Sequence, residues 1–383
     1  MAGSASAFFL HALDLTTATR LQNPWLLYLL PSAGLFVAWL YNRYGKSVER
    51  GNNLLLEEVH NPQKVIPLRM TPLVLLGTLI THLFGGSAGR EGTAVQMGGS
   101  LADQLTLLFR LSPEKRKILL MAGISAGFAS VFGTPLAGTL FGLEVLAVGR
   151  LRYRALLPCF TAAIVADRVC LAWAAHHTSY NISVVPELTA WNIMLAALAG
   201  IAFGACAASF SIGIHRLTQT LKQLFKSPLL RAFSGGVAIL GLTLLLQTDR
   251  YLGLGIPVIQ ESFLGPVPAY DFFLKMVFTL VTLSAGFKGG EVTPLFFIGA
   301  TLGNALAWLL PLPTSLLAGM GFVAVFAGAA NTPLACIIMA LEIFGTGPGI
   351  YTAIACIMSY LFSGHRGIYH SQKIEVFKYA QKD

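Results

Sequence analysis

Apolar positions in this chain run in long uncharged stretches. Ala190 to His215 carries no acid, lysine or arginine, and neither does Met70 to Gly89. Between Glu291 and Arg366 the single formal charge is Glu342. A bilayer-spanning helix needs about 20 predominantly apolar residues, so the pattern predicts transmembrane helices rather than the core of an ordinary globular domain. Many runs are cut by glycine, as at Gly85-Gly86-Ser87-Ala88-Gly89 and Gly286-Phe287-Lys288-Gly289-Gly290. Broken helices are tolerated inside a bilayer only where the freed backbone is buried in protein or lines a cavity.

The pattern occurs twice. Thr134-Pro135-Leu136-Ala137 followed by Leu143-Glu144-Val145 returns as Thr332-Pro333-Leu334-Ala335 followed by Leu341-Glu342-Ile343, 198 residues later. Met97-Gly98 with Leu101 returns as Ile298-Gly299 with Leu302 at a spacing of 201, and Gly51 returns as Gly253 at 202. Three matches in the same order at nearly constant spacing indicate a duplication. The expected division is a first membrane repeat over 1–185 and a second over 186–383 with a short tail, with no separate soluble domain. Ser6-Ala7-Phe8 matches Ala208-Ser209-Phe210, which lies deep inside the run beginning at Ala190, so the first copy is expected to lack the first half of its first helix. Repeats broken at matching places point to a transporter's binding site, and the two glycine-rich breaks are expected to meet there.

Composition agrees: 55% of residues are hydrophobic and 11% charged, against about 25% charged in soluble domains. The net charge of +9 comes from 26 basic and 17 acidic residues. The basic residues sit in short clusters between apolar runs (Arg43, Lys46 and Arg50; Lys115 to Lys117; Arg150, Arg152 and Arg154), which suits interfacial anchoring better than nucleic acid. Membrane orientation stays open from these clusters alone. No short apolar leader with a small-residue cleavage site opens the sequence. The five cysteines lie in apolar stretches without metal-ligand spacing, and the eight histidines form no His-Glu-x-x-His pattern. Neither His176-His177 nor Glu91 has an evident nucleophile beside it, so an enzyme is not expected.

Helix amino termini present unpaired N–H groups and a partial positive charge, so several aimed at one point make an anion site. Three segments have this form: Gly51-Asn52-Asn53-Leu54, Gly89-Arg90-Glu91-Gly92-Thr93 and Gly289-Gly290-Glu291-Val292-Thr293-Pro294, each leading into an apolar run. A carboxylate placed among such donors competes with the anion for the same position. Glu91 is therefore the leading candidate for a gate and proton carrier, the alternative being a structural acid paired to Arg90. Glu144 and Glu342, at equivalent places in the two copies, read as duplicated structure. Glu291 is a second buried acid, costly unless it has a role or a partner, and Lys288 three residues earlier is a candidate partner.

The segment Gly85 to Gly99, with Gly-Arg-Glu-Gly at its centre, resembles the signature of the CLC family of anion channels and exchangers. Gly-Asn-Asn-Leu stands where that family has Gly-Ser-Gly-Ile-Pro, Gly-Gly-Glu-Val-Thr-Pro where it has Gly-Gly-Ile-Phe-Ala-Pro, and Gly367-Ile368-Tyr369 at its late tyrosine. The departures resemble the fluoride/proton antiporter branch, CLC-F. Asn52 replaces a chloride-contacting serine, Thr93 replaces a proline, Glu291 and Thr293 alter the third motif, and Val145 stands at the inner proton-transfer glutamate of chloride exchangers.

The resemblance implies an all-α polytopic membrane protein, an inverted repeat of tilted and broken helices. It implies fluoride export against protons, with Asn52, Arg90, Gly92, Val292, Thr293 and Tyr369 near the anion and Glu291 as a second acid. It also implies a homodimer in a bacterial plasma membrane, with the lipid bilayer, protons and fluoride, or in the alternative chloride, as its partners, and with no cofactor, metal or nucleic acid. Asn52 as a plain helix cap remains the alternative at that position. For the whole chain the rival is a CLC-type chloride channel or chloride/proton exchanger. Gly200, Gly204 and Ala207 allow close helix contact, either across a dimer or within one subunit.

Overall fold

A computed structural model describes residues 1–379. Among them are sixteen α-helices that fall into two series of eight. The first series is α1 (Ala2–Gln22), α2 (Leu30–Tyr44), α3 (Asn52–His60), α4 (Met70–Leu83), α5 (Glu91–Leu108), α6 (Pro113–Phe132), α7 (Pro135–Glu144) and α8 (Leu156–Ala172). The second is α9 (Ala190–Leu224), α10 (Pro228–Leu246), α11 (Ile256–Leu264), α12 (Asp271–Ser284), α13 (Val292–Leu306), α14 (Thr314–Ala330), α15 (Pro333–Phe344) and α16 (Gly349–Phe362). The expected division at 185/186 falls in the connection between α8 and α9. Corresponding helices have similar lengths, nine residues in both α3 and α11 and fourteen in both α4 and α12. The pair α1 and α9 differs, at 21 and 35 residues.

Reciprocal contacts fix how the two series face each other. The carboxylate of Glu144, at the end of α7, accepts the N–H groups of Leu334 (3.1 Å) and Ala335 (2.8 Å) at the start of α15. Glu342, near the end of α15, accepts those of Leu136 (2.9 Å) and Ala137 (2.8 Å) at the start of α7. Each acid satisfies donors that the other repeat's helix cannot satisfy for itself, in the favourable sense of the helix dipole. The end of each helix meets the beginning of the other, so the two run antiparallel, as an inverted repeat requires. The two acids are structural caps, which agrees with their duplicated positions.

Helix crossings within each half are duplicated too. A Cβ on Gly98 of α5 would lie 2.4 Å from the Gly123 carbonyl of α6, and one on Gly299 of α13 would lie 2.0 Å from the Gly321 carbonyl of α14. Small residues let the backbones touch where lipid supplies no hydrophobic drive for helix association. Gly200 and Gly204 of α9 serve the same purpose inside the subunit, against Ala355 and Ser359 of α16. Ala207, fully buried, meets Gly328 of α14.

Four helical segments are long and apolar enough to cross a membrane: Pro24–Tyr44, Tyr153–Ala172, Ala190–Leu224 and Pro228–Leu246. Of the shorter apolar helices, α13 and α14 pack inside. α14, for instance, is buried along almost its entire length, while Phe36, Leu157, Val165, Leu244 and Leu245 are exposed on the outer helices. Exposed Trp25, Trp39, Tyr153, Trp173, Trp191 and Trp308 lie at or near helix ends, as in interfacial belts. A parallel pair of two-residue strands, β1 (Ala147–Val148) and β2 (Lys373–Ile374), ties the carboxy-terminal segment to the end of α7.

Candidate anion site

The two glycine-rich breaks meet. Gly89 N–H donates to the Gly290 carbonyl (2.6 Å), and Gly290 N–H donates back to Gly89 (2.8 Å). This clasp sets the starts of α5 and α13 beside each other, with the helices leading away in opposite senses. The first break is also tied to α12: Ser87 N–H donates to Thr282 Oγ1 (3.1 Å), and the Ser87 and Thr279 hydroxyls lie 3.0 Å apart. Side chains would spoil the approach, since a Cβ on Gly290 would lie 2.7 Å from Gly92 N, and one on Gly92 3.1 Å from Asn52 Nδ2.

Glu91 is 1% exposed and leans across the clasp onto the start of α13. Its Oε2 accepts the Thr293 N–H (3.1 Å) and the Arg90 N–H (3.2 Å), and its Oε1 accepts the Thr293 hydroxyl (2.5 Å). Arg90 Nε stands 3.6 Å from Oε1, a charge contact longer than a hydrogen bond. The Glu91 carboxylate thus takes the donors that α13 presents to any anion at its amino terminus. Val292 is buried in the first turn of α13 next to these donors. Thr93 faces elsewhere, with its hydroxyl 2.7 Å from that of Thr78 on α4.

Below the clasp a cavity of about 150 Å³ is lined by Asn52, Gln96, Lys288, Gly289, Glu291 and Tyr369, among others. The Asn53 and Leu54 N–H groups are already taken by Arg50 O (3.1 Å) and Gly51 O (3.0 Å), so α3 offers the cavity chiefly the Asn52 side chain. That side chain makes no capping bond, and its Oδ1 has no protein partner. One oxygen of half-buried Glu291 is itself buried and likewise without a protein partner, which is costly for a buried polar group.

Lys288 is not the partner of Glu291. Its ammonium sits 4.0 Å from the centre of the Tyr41 ring, and no ion pair joins the two residues among those described. Spacing of three residues brings side chains together on a helix, but Gly289 and Gly290 hold this stretch extended in the clasp, so the spacing does not apply.

Tyr369 is placed by the carboxy-terminal segment. Ile368 N–H donates to Ala329 O (2.8 Å), and Gln372 Nε2 donates to Val145 O and Ala330 O (both 3.0 Å). Ser371 N–H donates to Asn53 Oδ1 (3.0 Å), linking the tyrosine segment to the start of α3. Beyond Tyr369 toward Val145 the lining is apolar: Leu55, Val95, Ile124 and Phe141. The sequence singled out none of Gln96, Gln372 or Asn331, which donates to the His365 carbonyl and Gln372 Oε1, and it held Asn53 only as part of the helix start at Gly51. Gln96 carried the clearest signal, an amide inside the small and apolar stretch Ala94 to Gly99 of α5. The other three act through contacts between distant segments.

Residues 33–364 match the family described as Voltage gated chloride channel. The chain belongs to the CLC family. Over 380 residues this CLC chain is 58% identical to the "Chloride/fluoride channel protein" of Pseudomonas syringae pv. tomato, with 98% of this chain and 84% of that protein covered. It is 27% identical to the "H(+)/Cl(-) exchange transporter ClcA" of Cronobacter sakazakii, covering 100% of this chain and 90% of the other. Among solved structures it is similar to a CLC-type fluoride/proton antiporter, with a TM-score of 0.95, 39% identity, and 98% and 95% of the two chains covered. The inverted-repeat fold is that of the family.

Proposed function

We propose that this CLC chain exports fluoride in exchange for protons, with Glu91 as gate and proton carrier. The observation that carries the proposal is the Glu91 carboxylate on the Thr293 N–H and hydroxyl, at 3.1 and 2.5 Å. An anion and this carboxylate cannot hold the same donors at once. When Glu91 takes a proton it loses its charge and its claim, and fluoride takes the donors. When fluoride leaves, the deprotonated acid returns.

Fluoride is small and strongly hydrated, so its site must replace water with close donors. The Thr293 hydroxyl, the Asn52 amide, the Tyr369 phenol and the backbone near Gly92 and Val292 supply them, with the Arg90 guanidinium behind. Glu291, short of a hydrogen-bond partner on the same cavity, is the second acid through which the proton passes, in place of the inner acid that Val145 removes. The similarity to a chloride/fluoride channel protein and to a fluoride/proton antiporter supports this choice of ion.

The basic connections gather on one face. Arg69 reaches Ser47, Arg116 reaches the Lys64 carbonyl, and Arg150 and Arg152 pair with Glu375. The positive-inside rule makes this the cytoplasmic face, with the protein in a bacterial plasma membrane as a homodimer. The test is flux from liposomes, recording fluoride, chloride and protons together. Fluoride efflux with an opposed, fluoride-dependent proton flux is expected. Fluoride movement without it ends the antiport reading, and chloride transport equal to fluoride ends the selectivity.

A further inference from the structure

Glu291 also lines a second cavity, larger and leading away from the anion site. This space of about 430 Å³ is bounded by Asn53, His215, Thr218, Gln219, His370 and Ser371, together with charged Glu49, Arg50 and Lys222. Its polar walls and size suit a chain of water molecules. The cavity runs from Glu291, whose buried Oε2 has no protein partner, to His370, which is exposed, so it connects the orphaned carboxyl to the aqueous face.

Two imidazoles stand together at its mouth. The rings of His215, on α9, and His370, next to Tyr369, are 4.7 Å apart between centroids. His215 Nε2 lies 2.8 Å from the Gly367 carbonyl. A carbonyl only accepts, so the proton of neutral His215 is on Nε2, and Nδ1 is left to take up and release another. Two imidazoles this close resist being charged together, so a proton received by one is readily passed on.

The charged groups around the pair are Glu49 and Arg50, Glu57 bonded to Ser371, Lys222, Arg366, and Glu291 at the inner end. Burial, then His215, Arg366, Lys222 and Arg50, hold the His370 imidazole below its usual range.

We propose that His215 and His370 form a proton-exchange station that carries protons between the aqueous face and the Glu291 carboxyl, apart from the anion's route past Asn52 and Tyr369. In the inward direction the O–H bond of Glu291 breaks and water relays its proton to His215 Nδ1. Nδ1–H then breaks in turn, and the proton leaves through His370 to solvent. His215 Nε2–H stays on Gly367 throughout. The proposal rests on the reading of Glu291 as a proton-passing acid.

The test uses the full chain in lightly buffered liposomes and the variants His215→Gln, His370→Gln and the double variant. Glutamine keeps an N–H for Gly367 but does not titrate. The double variant is expected to slow fluoride-coupled proton flux by about tenfold or more, and imidazole added on the station's side should restore it. Unchanged flux, or a loss that imidazole does not restore, overturns the proposal. Glu291→Gln separates the two ideas. If it abolishes coupled flux while the double histidine variant is normal, the station alone is wrong; if it retains coupled flux, the underlying reading of Glu291 fails and the station falls with it.

Discussion

At the scale of single residues, the Glu91 carboxylate is held by donors from the other half of the molecule. Glu91 opens α5, yet two of its three hydrogen bonds come from Thr293 on α13. The carboxylate's charge strengthens this hold. Glu91→Gln, which cannot ionise, is expected to lose coupled exchange, with fluoride-dependent proton flux falling to the level of empty liposomes. Unchanged coupled flux would show that this carboxyl is not the proton carrier.

Glu91 was legible in the sequence because an acid among glycines in an apolar run has few structural excuses. The donors around it were legible only as motifs, since nothing local says which helix start faces which. Lys288 shows the limit. Its spacing from Glu291 suggested an ion pair, and the extended clasp sends the lysine to the face of Tyr41 instead.

At the scale of helices, the duplicated acids and glycines hold the frame. Glu144 and Glu342 each cap the other repeat's helix, so Glu144→Gln is expected to cost about 1–2 kcal/mol. The measurement is thermal unfolding in detergent, alongside flux per folded protein. A lower Tm with proton coupling retained fits a cap, and lost coupling at unchanged Tm would show a chemical role. At the α13–α14 crossing, a methyl on Gly299 would sit 2.0 Å from a backbone oxygen. Gly299→Ala should therefore force the helices apart and destabilise by about 1–3 kcal/mol, read as a lower melting temperature. No melting change would mean that the crossing tolerates the extra atom.

The sequence marked these positions by repeating them about 200 residues apart. It did not show that the repeated acids reach across the duplication. Gly200 and Gly204 were equally suited to a dimer contact, and packing against α16 decides for the interior of the subunit.

At the scale of the whole molecule, the proposed orientation rests on basic loops that are scattered along the chain. All five cysteines are buried, so a single introduced thiol reports the side it faces. Ser112→Cys, at the α5–α6 turn beside the basic cluster, should react with an impermeant thiol reagent only after cells are opened. Thr346→Cys, in the α15–α16 turn, should react on intact cells. The reverse labelling would invert the assignment and put the histidine cavity outside.

The sequence by itself determined that the chain spans a membrane, that it is duplicated, and that its glycine-rich breaks surround an acid. Each of these is a one-dimensional signal of run length, spacing or a misplaced charge. Tertiary structure alone decided which ends meet: Glu91 on Thr293, Ser371 on Asn53, the acidic caps exchanged between repeats, and His215 beside His370. These contacts join residues as much as 318 positions apart. They depend on how two antiparallel copies close on each other, and that closure leaves no mark on the local order of residues.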